Sequence, residues 1–244
     1  MRLDHYLVAE GLCRSRSQAK EAIQRGAVTV NGVPARSAGQ RVAPDAEVIA
    51  EATRFVGRGA HKLIAALDHF AIDPAGRDAI DIGASTGGFT EVLLERGAAR
   101  VIALDVGRDQ LAPSLAADPR VIVMEGVNAR HLGAGDLPFA PSLMVMDVSF
   151  ISLTLVLPTT LPLLAAPADV VALVKPQFEV GKAHVGKGGV VRDAAATEAA
   201  LARVAATFAV AGYRAAPPIP SPFTGSDGNT EYLMAARCPM AAQA

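Results

Sequence analysis

Asp105, Asp147 and Lys175 each follow directly on a run of apolar, strand-forming residues: Val101-Ile102-Ala103-Leu104, Leu143-Met144-Val145-Met146 and Val170-Val171-Ala172-Leu173-Val174. In an open parallel sheet the carboxyl ends of the strands line the ligand crevice, so all three side chains are predicted to face a site. Upstream, Asp78-Ala79-Ile80-Asp81-Ile82-Gly83 reads as a buried strand entering a turn. Gly83-Ala84-Ser85-Thr86-Gly87-Gly88-Phe89 then supplies small residues where a helix begins at about Thr90. Strand, glycine turn, helix, second strand and terminal acid make a nucleoside-binding βαβ unit, with Asp105 at the distance from the turn expected of a ribose-binding carboxylate. A dinucleotide fold wants G-x-G-x-x-G, and Ser85 stands at its second glycine, so close approach of a pyrophosphate is not provided. A lysine at the end of a buried strand sits partly buried, which lowers the pKa of an ammonium group and makes Lys175 a candidate general base.

A second glycine-rich segment, Gly181-Lys182-Ala183-His184-Val185-Gly186-Lys187, satisfies most of the phosphate-loop pattern. Gly188 stands where that loop needs a magnesium-binding hydroxyl, and Gly188-Gly189-Val190-Val191 does not begin a helix, so an ATPase is rejected. The segment is expected instead to form a mobile basic lid over RNA, using Lys182, Lys187 and Arg192. Cys13 and Cys238 lie near opposite ends without a CxxC or Cys/His cluster, so neither a disulfide framework nor a metal site is expected.

These residues require a scaffold. Further strands are predicted at Val121 to Met124, Leu143 to Met146 and Val170 to Val174, with helical patterns between them and at Ala194 to Ala211. The fold class is therefore α/β, a doubly wound Rossmann-like parallel sheet. At 244 residues, 51% hydrophobic and 19% charged, the chain has room for such a domain plus a smaller one. The smaller one is predicted at the N-terminus as an α+β unit. Residues 3–25 show apolar positions at helical spacing, with a helix starting at Ser15 or Ser17, running to about Arg25 and ending at Gly26. Ala27 to Val30 reads as a short strand, Asn31-Gly32 as a hairpin turn, and Val42 to Ile49 as further strand. The net charge of -1 hides an asymmetry: nine Arg or Lys against six acids give residues 1–58 an excess of three positive charges. The first residues carry charge rather than the apolar core of a signal peptide, so a cytoplasmic location is expected. The uncharged stretch from Val148 to Ala168 contains Pro158, Pro162 and Pro167 and reads as a buried helix and loop rather than a membrane span.

Two resemblances sharpen this reading. Arg2-Leu3-Asp4, Arg14-Ser15-Arg16-Ser17-Gln18-Ala19-Lys20, Ile23, Gly26, Val28 and Val30-Asn31-Gly32 resemble the RNA-binding module named after the fourth small-subunit ribosomal protein. It implies that Arg2, Arg14, Arg16 and Lys20 meet phosphates of folded RNA. Asp81-Ile82-Gly83, Ser85 and Gly87-Gly88-Phe89 resemble the first motif of S-adenosylmethionine methyltransferases, with Asp105 the acid for the ribose hydroxyls.

Together with Val56-Gly57-Arg58-Gly59-Ala60-His61-Lys62-Leu63, Asp147-Val148-Ser149-Phe150-Ile151-Ser152, Val174-Lys175-Pro176-Gln177-Phe178-Glu179 and Gly228-Asn229-Thr230-Glu231-Tyr232, nearly the whole chain resembles the TlyA family. That resemblance implies methyl transfer from S-adenosylmethionine to the 2′-hydroxyl of a cytidine in ribosomal RNA. It also implies a tetrad of Lys62, Asp147, Lys175 and Glu231 with Lys175 as base, and adds Arg58 to the RNA contacts. Gly126-Val127-Asn128 departs from the family's Arg-Thr-Asn where Asn128 would meet the adenine. The expected division is an RNA-binding domain over 1–53, a linker over 54–60 and a methyltransferase domain over 61–244. The residues agree with oxygen as target: amino-methylating enzymes often place Asn/Asp-Pro-Pro-aromatic where this chain has Asp147-Val148-Ser149-Phe150, and neither cysteine is placed as a nucleophile for carbon methylation. Two rival classes are a pore-forming haemolysin, a label the family has carried, and an RNA-binding module without catalysis. The missing signal peptide and membrane span argue against the first, and the retained lysines and acids against the second.

Overall fold

A computed structural model describes residues 1–13, 16–24, 26–50, 55–57, 59–225 and 227–239. Their contacts divide the chain into a unit of Met1–Arg58 and one of Gly59–Ala244.

In the first unit, α1 (Leu3–Ala9) and α2 (Arg16–Gln24) pack beside a sheet of β1 (Val28–Val30), β2 (Val33–Pro34) and β3 (Val48–Ala50), in the order β2-β1-β3. Leu3, Leu7, Cys13, Ala19, Ala22, Ile23, Val28 and Val42 form its core. The predicted ends Ser15 and Arg25 lie outside the described residues. The stop at Gly26 is observed: it adopts φ 74° while Ala27 N–H bonds the Ala22 carbonyl at 2.9 Å. Asn31 and Gly32 both take positive φ and set Val30 opposite Val33, the geometry of a primed hairpin turn. The strand expected from Val42 to Ile49 shortens to Val48–Ala50. Val42 bonds instead with Met1, each donating to the other's carbonyl, and Pro44, without an N–H, interrupts the run.

The second unit is an eight-stranded sheet. Its central path is β4 (Asp78–Ile82), β5 (Arg100–Asp105), β6 (Val121–Glu125), β7 (Leu143–Met146) and β8 (Ala168–Val174), all parallel. β9 (Arg214–Ala215), β10 (Ile219–Pro220) and the antiparallel β11 (Tyr232–Cys238) complete one side, giving the order β10-β11-β8-β7-β4-β5-β6 with β9 also on β11. Strands β4, β7 and β8 are buried on both faces, which is why they read as unbroken apolar runs. Helices α3 (Gly59–Phe70), α4 (Gly88–Glu95), α5 (Pro113–Ala116), α6 (Leu153–Thr160), α7 (Pro176–Glu179) and α8 (Ala194–Val210) flank the sheet or join its strands. The helix expected at Thr90 begins two residues earlier, because Gly87 takes the left-handed φ of 97° that a side chain would oppose. The uncharged stretch contains α6, which buries Leu153, Val156, Leu157 and Thr160, leaves Leu155 half exposed, and is capped by Ser152 Oγ on the Thr154 N–H. Among the described residues no helix is long and apolar enough to cross a membrane.

One buried carboxylate organises the first unit. The Asp4 side chain has no exposed surface, and its carboxylate receives Arg2 at 2.9 Å and Arg16 at 3.1 Å. The hydrogen bond from Arg2, helped by Arg16 and opposed by desolvation, holds this carboxyl well below the usual carboxylate range. A depressed carboxylate stabilises the fold above its unfolded pKa, about 3.9, and that contribution is lost as pH falls below it. Asp4→Asn is therefore expected to weaken amide-exchange protection of α1 by a constant factor from pH 7 down to about 4, and to approach the parent protein below that pH. A difference that grows on acidification would refute the assignment.

Candidate active site

The sheet register assembles the site. β4 and β7 pair Ile82 with Met146, and Asp147 N–H then bonds the Ile82 carbonyl at 3.0 Å, which sets Asp147 beside Gly83. A β-carbon on Gly83 would collide with the Asp147 carbonyl oxygen, so glycine is required there by space as well as by its φ of 85°. β11 pairs Tyr232 with Val174, and one further step of that antiparallel register sets Glu231 against Lys175. Helix α3 packs on α4 and β11 and carries Lys62 to the same end of the sheet.

Two ion pairs result. Lys62 Nζ pairs with Glu231 Oε2, both residues being buried. Lys175 Nζ lies 2.6 Å from Asp147 Oδ1 and donates to Ser149 Oγ at 2.8 Å. The contact with Asp147 is a close charge pair without hydrogen-bond alignment, and Asp147 Oδ1 has no aligned donor. Gly59, at the start of α3, lies against the Phe89 ring and 3.7 Å from Asp147 Oδ2 as measured from an added β-carbon. Phe89 is buried, packing α4 against α3 rather than lining an open crevice.

The glycine turn is tied to Asp105. Ser85 N–H donates to Asp105 Oδ2 at 2.8 Å, and Gly107 N–H to Oδ1 at 2.7 Å. Beneath the turn Asp81 is wholly buried, accepts Thr90 Oγ1–H at 2.7 Å on Oδ2, and leaves Oδ1 without a donor. Burial, with smaller contributions from the Asp147 and Asp105 charges, pushes the Asp81 carboxyl up to about 7 against the pull of the Thr90 hydrogen bond. Asn128, at the end of the same crevice after β6, spends Oδ1 on capping a short 3₁₀ turn through Arg130 N–H at 3.1 Å.

Three further residues were not singled out from the sequence. Glu125 accepts the N–H groups of Asp109, Gln110 and Leu111, which hold its carboxyl below the usual range and shape the loop after Asp105. Ending β6 as Asp105 ends β5, it carries the same signal of a polar residue closing an apolar strand. Ser149 and Glu179 give no comparable signal. Ser149 meets Lys175. Glu179, raised by burial, receives Ser152 Oγ at 2.6 Å and Leu153 N–H at 2.8 Å and so fixes the start of α6. Of the basic residues predicted to meet RNA, Arg2 and Arg16 remain half exposed on Asp4, Lys20, Lys187 and Arg192 are exposed, and Arg14 and Arg58 lie outside the described residues.

This fold and site define an α/β methyltransferase, and the comparisons agree. The family model described as FtsJ-like methyltransferase matches residues 55–238, and that of the S4 domain matches residues 1–48. The chain is 48% identical over 236 residues to the 16S/23S rRNA (cytidine-2'-O)-methyltransferase TlyA of Mycobacterium tuberculosis, covering 96% of this chain and 88% of that one. Hemolysin A of Brachyspira hyodysenteriae is 39% identical, with 96% and 98% covered. A solved structure from Streptococcus thermophilus that carries a hemolysin name aligns at a TM-score of 0.78 and 39% identity, over 99% of this chain and 89% of its own. The chain belongs to the TlyA family of FtsJ-like methyltransferases. As a member it is an enzyme whose methyl donor is S-adenosylmethionine. The residues present fit that group: the buried Oδ1 atoms of Asp81 and Asp147, beside the glycine turn, lack aligned donors.

A raised carboxyl pKa means that the folded state holds the proton more tightly than the unfolded chain. Stability from Asp81 is therefore full below about pH 4 and is lost as pH rises to about 7. Asp81→Asn is expected to remove that loss, so that the variant gains on the parent by a few kcal/mol between pH 4 and pH 8 in denaturant unfolding. An equal difference at both pH values would show that Asp81 ionises normally.

Proposed function

We propose that this protein transfers a methyl group from S-adenosylmethionine to the ribose 2′-hydroxyl of a cytidine in ribosomal RNA, in the cytoplasm. The observation that carries this reading is the pair of lysines, each held by its own carboxylate, at the end of the sheet beside the glycine turn. The curated relative from Mycobacterium tuberculosis, named for the same reaction, supports the substrate.

The bound donor supplies an electrophilic methyl sulfonium. Asp81, Gly83, Ser85, Gly87, Gly88 and Phe89 form or support the turn that receives it, with Asp105 facing the ribose hydroxyls and Asn128 the adenine. A ribose hydroxyl is a poor nucleophile and must lose its proton during attack. Lys175, as the amine, takes that proton, and Asp147 at 2.6 Å stabilises the ammonium that forms. Lys62, locked on Glu231, donates a hydrogen bond that orients the ribose.

Arg2, Arg14, Arg16 and Lys20 of the S4 domain, with Arg58, Lys187 and Arg192, meet phosphates and place the target. Phe150, 91% exposed with its ring 5.2 Å from Phe178, offers a stacking face for an unpaired base.

Replacing Lys175 by Ala is expected to lower the single-turnover rate by about 10²–10⁴-fold while sparing donor and RNA affinity, because a base acts in the transition state. Lys175→Arg, which keeps the charge and cannot accept the proton, should be equally impaired. Mapping of the product completes the test. Near-normal rates in either variant would overturn the mechanism, and a methyl group on a base nitrogen or carbon would overturn the proposed reaction.

A further inference from the structure

Asn229 is only 1% exposed, yet it belongs to neither ion pair. Its side chain reaches across to the basic loop. Oδ1 accepts Val191 N–H at 2.8 Å, and Nδ2 donates to the Gly189 carbonyl at 2.9 Å. Both ends of the amide are thus satisfied by the backbone of one short segment.

The other backbone bonds of that segment are internal, Gly189 N–H donating to the Gly186 carbonyl at 3.1 Å. Gly188 and Gly189 take φ of 80° and 82°, and a β-carbon at either would meet nothing within 4 Å. Gly186 N–H bonds the Val190 carbonyl at 3.0 Å, closing the loop on itself. Lys187 and Arg192 stand exposed on it.

On its other side Asn229 is part of the turn that delivers Glu231. The Asn229 carbonyl accepts Gly225 N–H at 2.8 Å, and the Glu231 carbonyl accepts Ser221 N–H at 2.8 Å. Gly225 sits so close that an added β-carbon would lie 2.7 Å from Glu231 Oε1. Asn229 and the carboxylate that holds Lys62 are therefore fixed by one turn.

We propose that Asn229 is a positioning residue that latches the Gly186–Val191 loop to the turn carrying Glu231, so that the grip of this loop on RNA phosphates sets the Lys62–Glu231 pair. The proposal rests on the function given above, since it gives the loop an RNA ligand. Removing the amide leaves a backbone donor and a backbone acceptor unpaired, which is costly where they are shielded from water. Aspartate keeps the acceptor for Val191 N–H but sets a buried carboxylate oxygen against the Gly189 carbonyl, a repulsion that opens the latch on that side.

The test uses the full chain and two readouts. In Asn229→Ala, amide exchange is expected to quicken both at residues 186–191 and at residues 228–232, with donor affinity unchanged. The single-turnover rate at saturating RNA should fall about tenfold, with Asn229→Asp impaired at least as much. Lys187→Ala should slow the same step in the parent and add nothing when combined with Asn229→Ala, because the loop is by then uncoupled. Additive losses, a defect confined to RNA affinity, or unchanged exchange at 228–232 would overturn the latch. Should the alanine variant not fold, Asn229→Ser, small and uncharged, carries the same cycle. A parent protein that methylates no ribose would refute the proposed function, and exchange at 228–232 would then judge the latch by itself.

Discussion

The pairing of β11 on β8 is the constraint on which the site depends. It brings a distant turn to the end of β8 and sets Glu231 against Lys175, and β11 also receives α3 with Lys62. A parallel strand in that place would deliver its carboxyl end in the same direction as β8. The reversed strand instead delivers its beginning, so the chain just before β11 can carry catalytic residues. Closing so long a loop costs chain entropy, and the buried apolar run of β11 offsets it.

Burying charge is expensive, and the site contains several charged groups close together. Lys62 and Glu231 are nearly sealed from water, and such pairs often add little net stability over apolar residues of the same volume. Their presence is better explained by the fixed donors they offer. Asp81 follows the same logic: its burial pushes the carboxyl up to about 7, with one oxygen lacking a donor. A binding site is where such unpaired groups are tolerated, because a ligand can complete them.

The N-terminal unit solves a different problem with few residues. Its core is small, and Asp4 binds Arg2 at the start of α1 and ties α1 to α2 through Arg16. Both arginines are half exposed, so the side chains that neutralise Asp4 also present positive charge to solvent. Structure and surface charge are therefore linked in Arg2 and Arg16, and Lys20 adds a further exposed cation on α2.

By itself the sequence determined the alternation of strands and helices, the glycine turn and the ends of the strands. These follow from local rules: the apolar run of a doubly buried strand, the small residues of a tight turn, and the polar residue that closes each strand. Asp105, Asp147 and Lys175 were legible for that reason, while Lys62 and Glu231 were reached only through resemblance to a family, since nothing near either residue announces chemistry. Tertiary structure decided which groups pair. That Lys62 meets Glu231 and that Lys175 meets Asp147 and Ser149 depend on how segments far apart in the chain pack together. The shortening of the third N-terminal strand had the same origin, because Val42 found its partner in Met1. Local patterns fix which backbone a segment prefers, but a side chain's partner is set by the long-range packing that brings segments together.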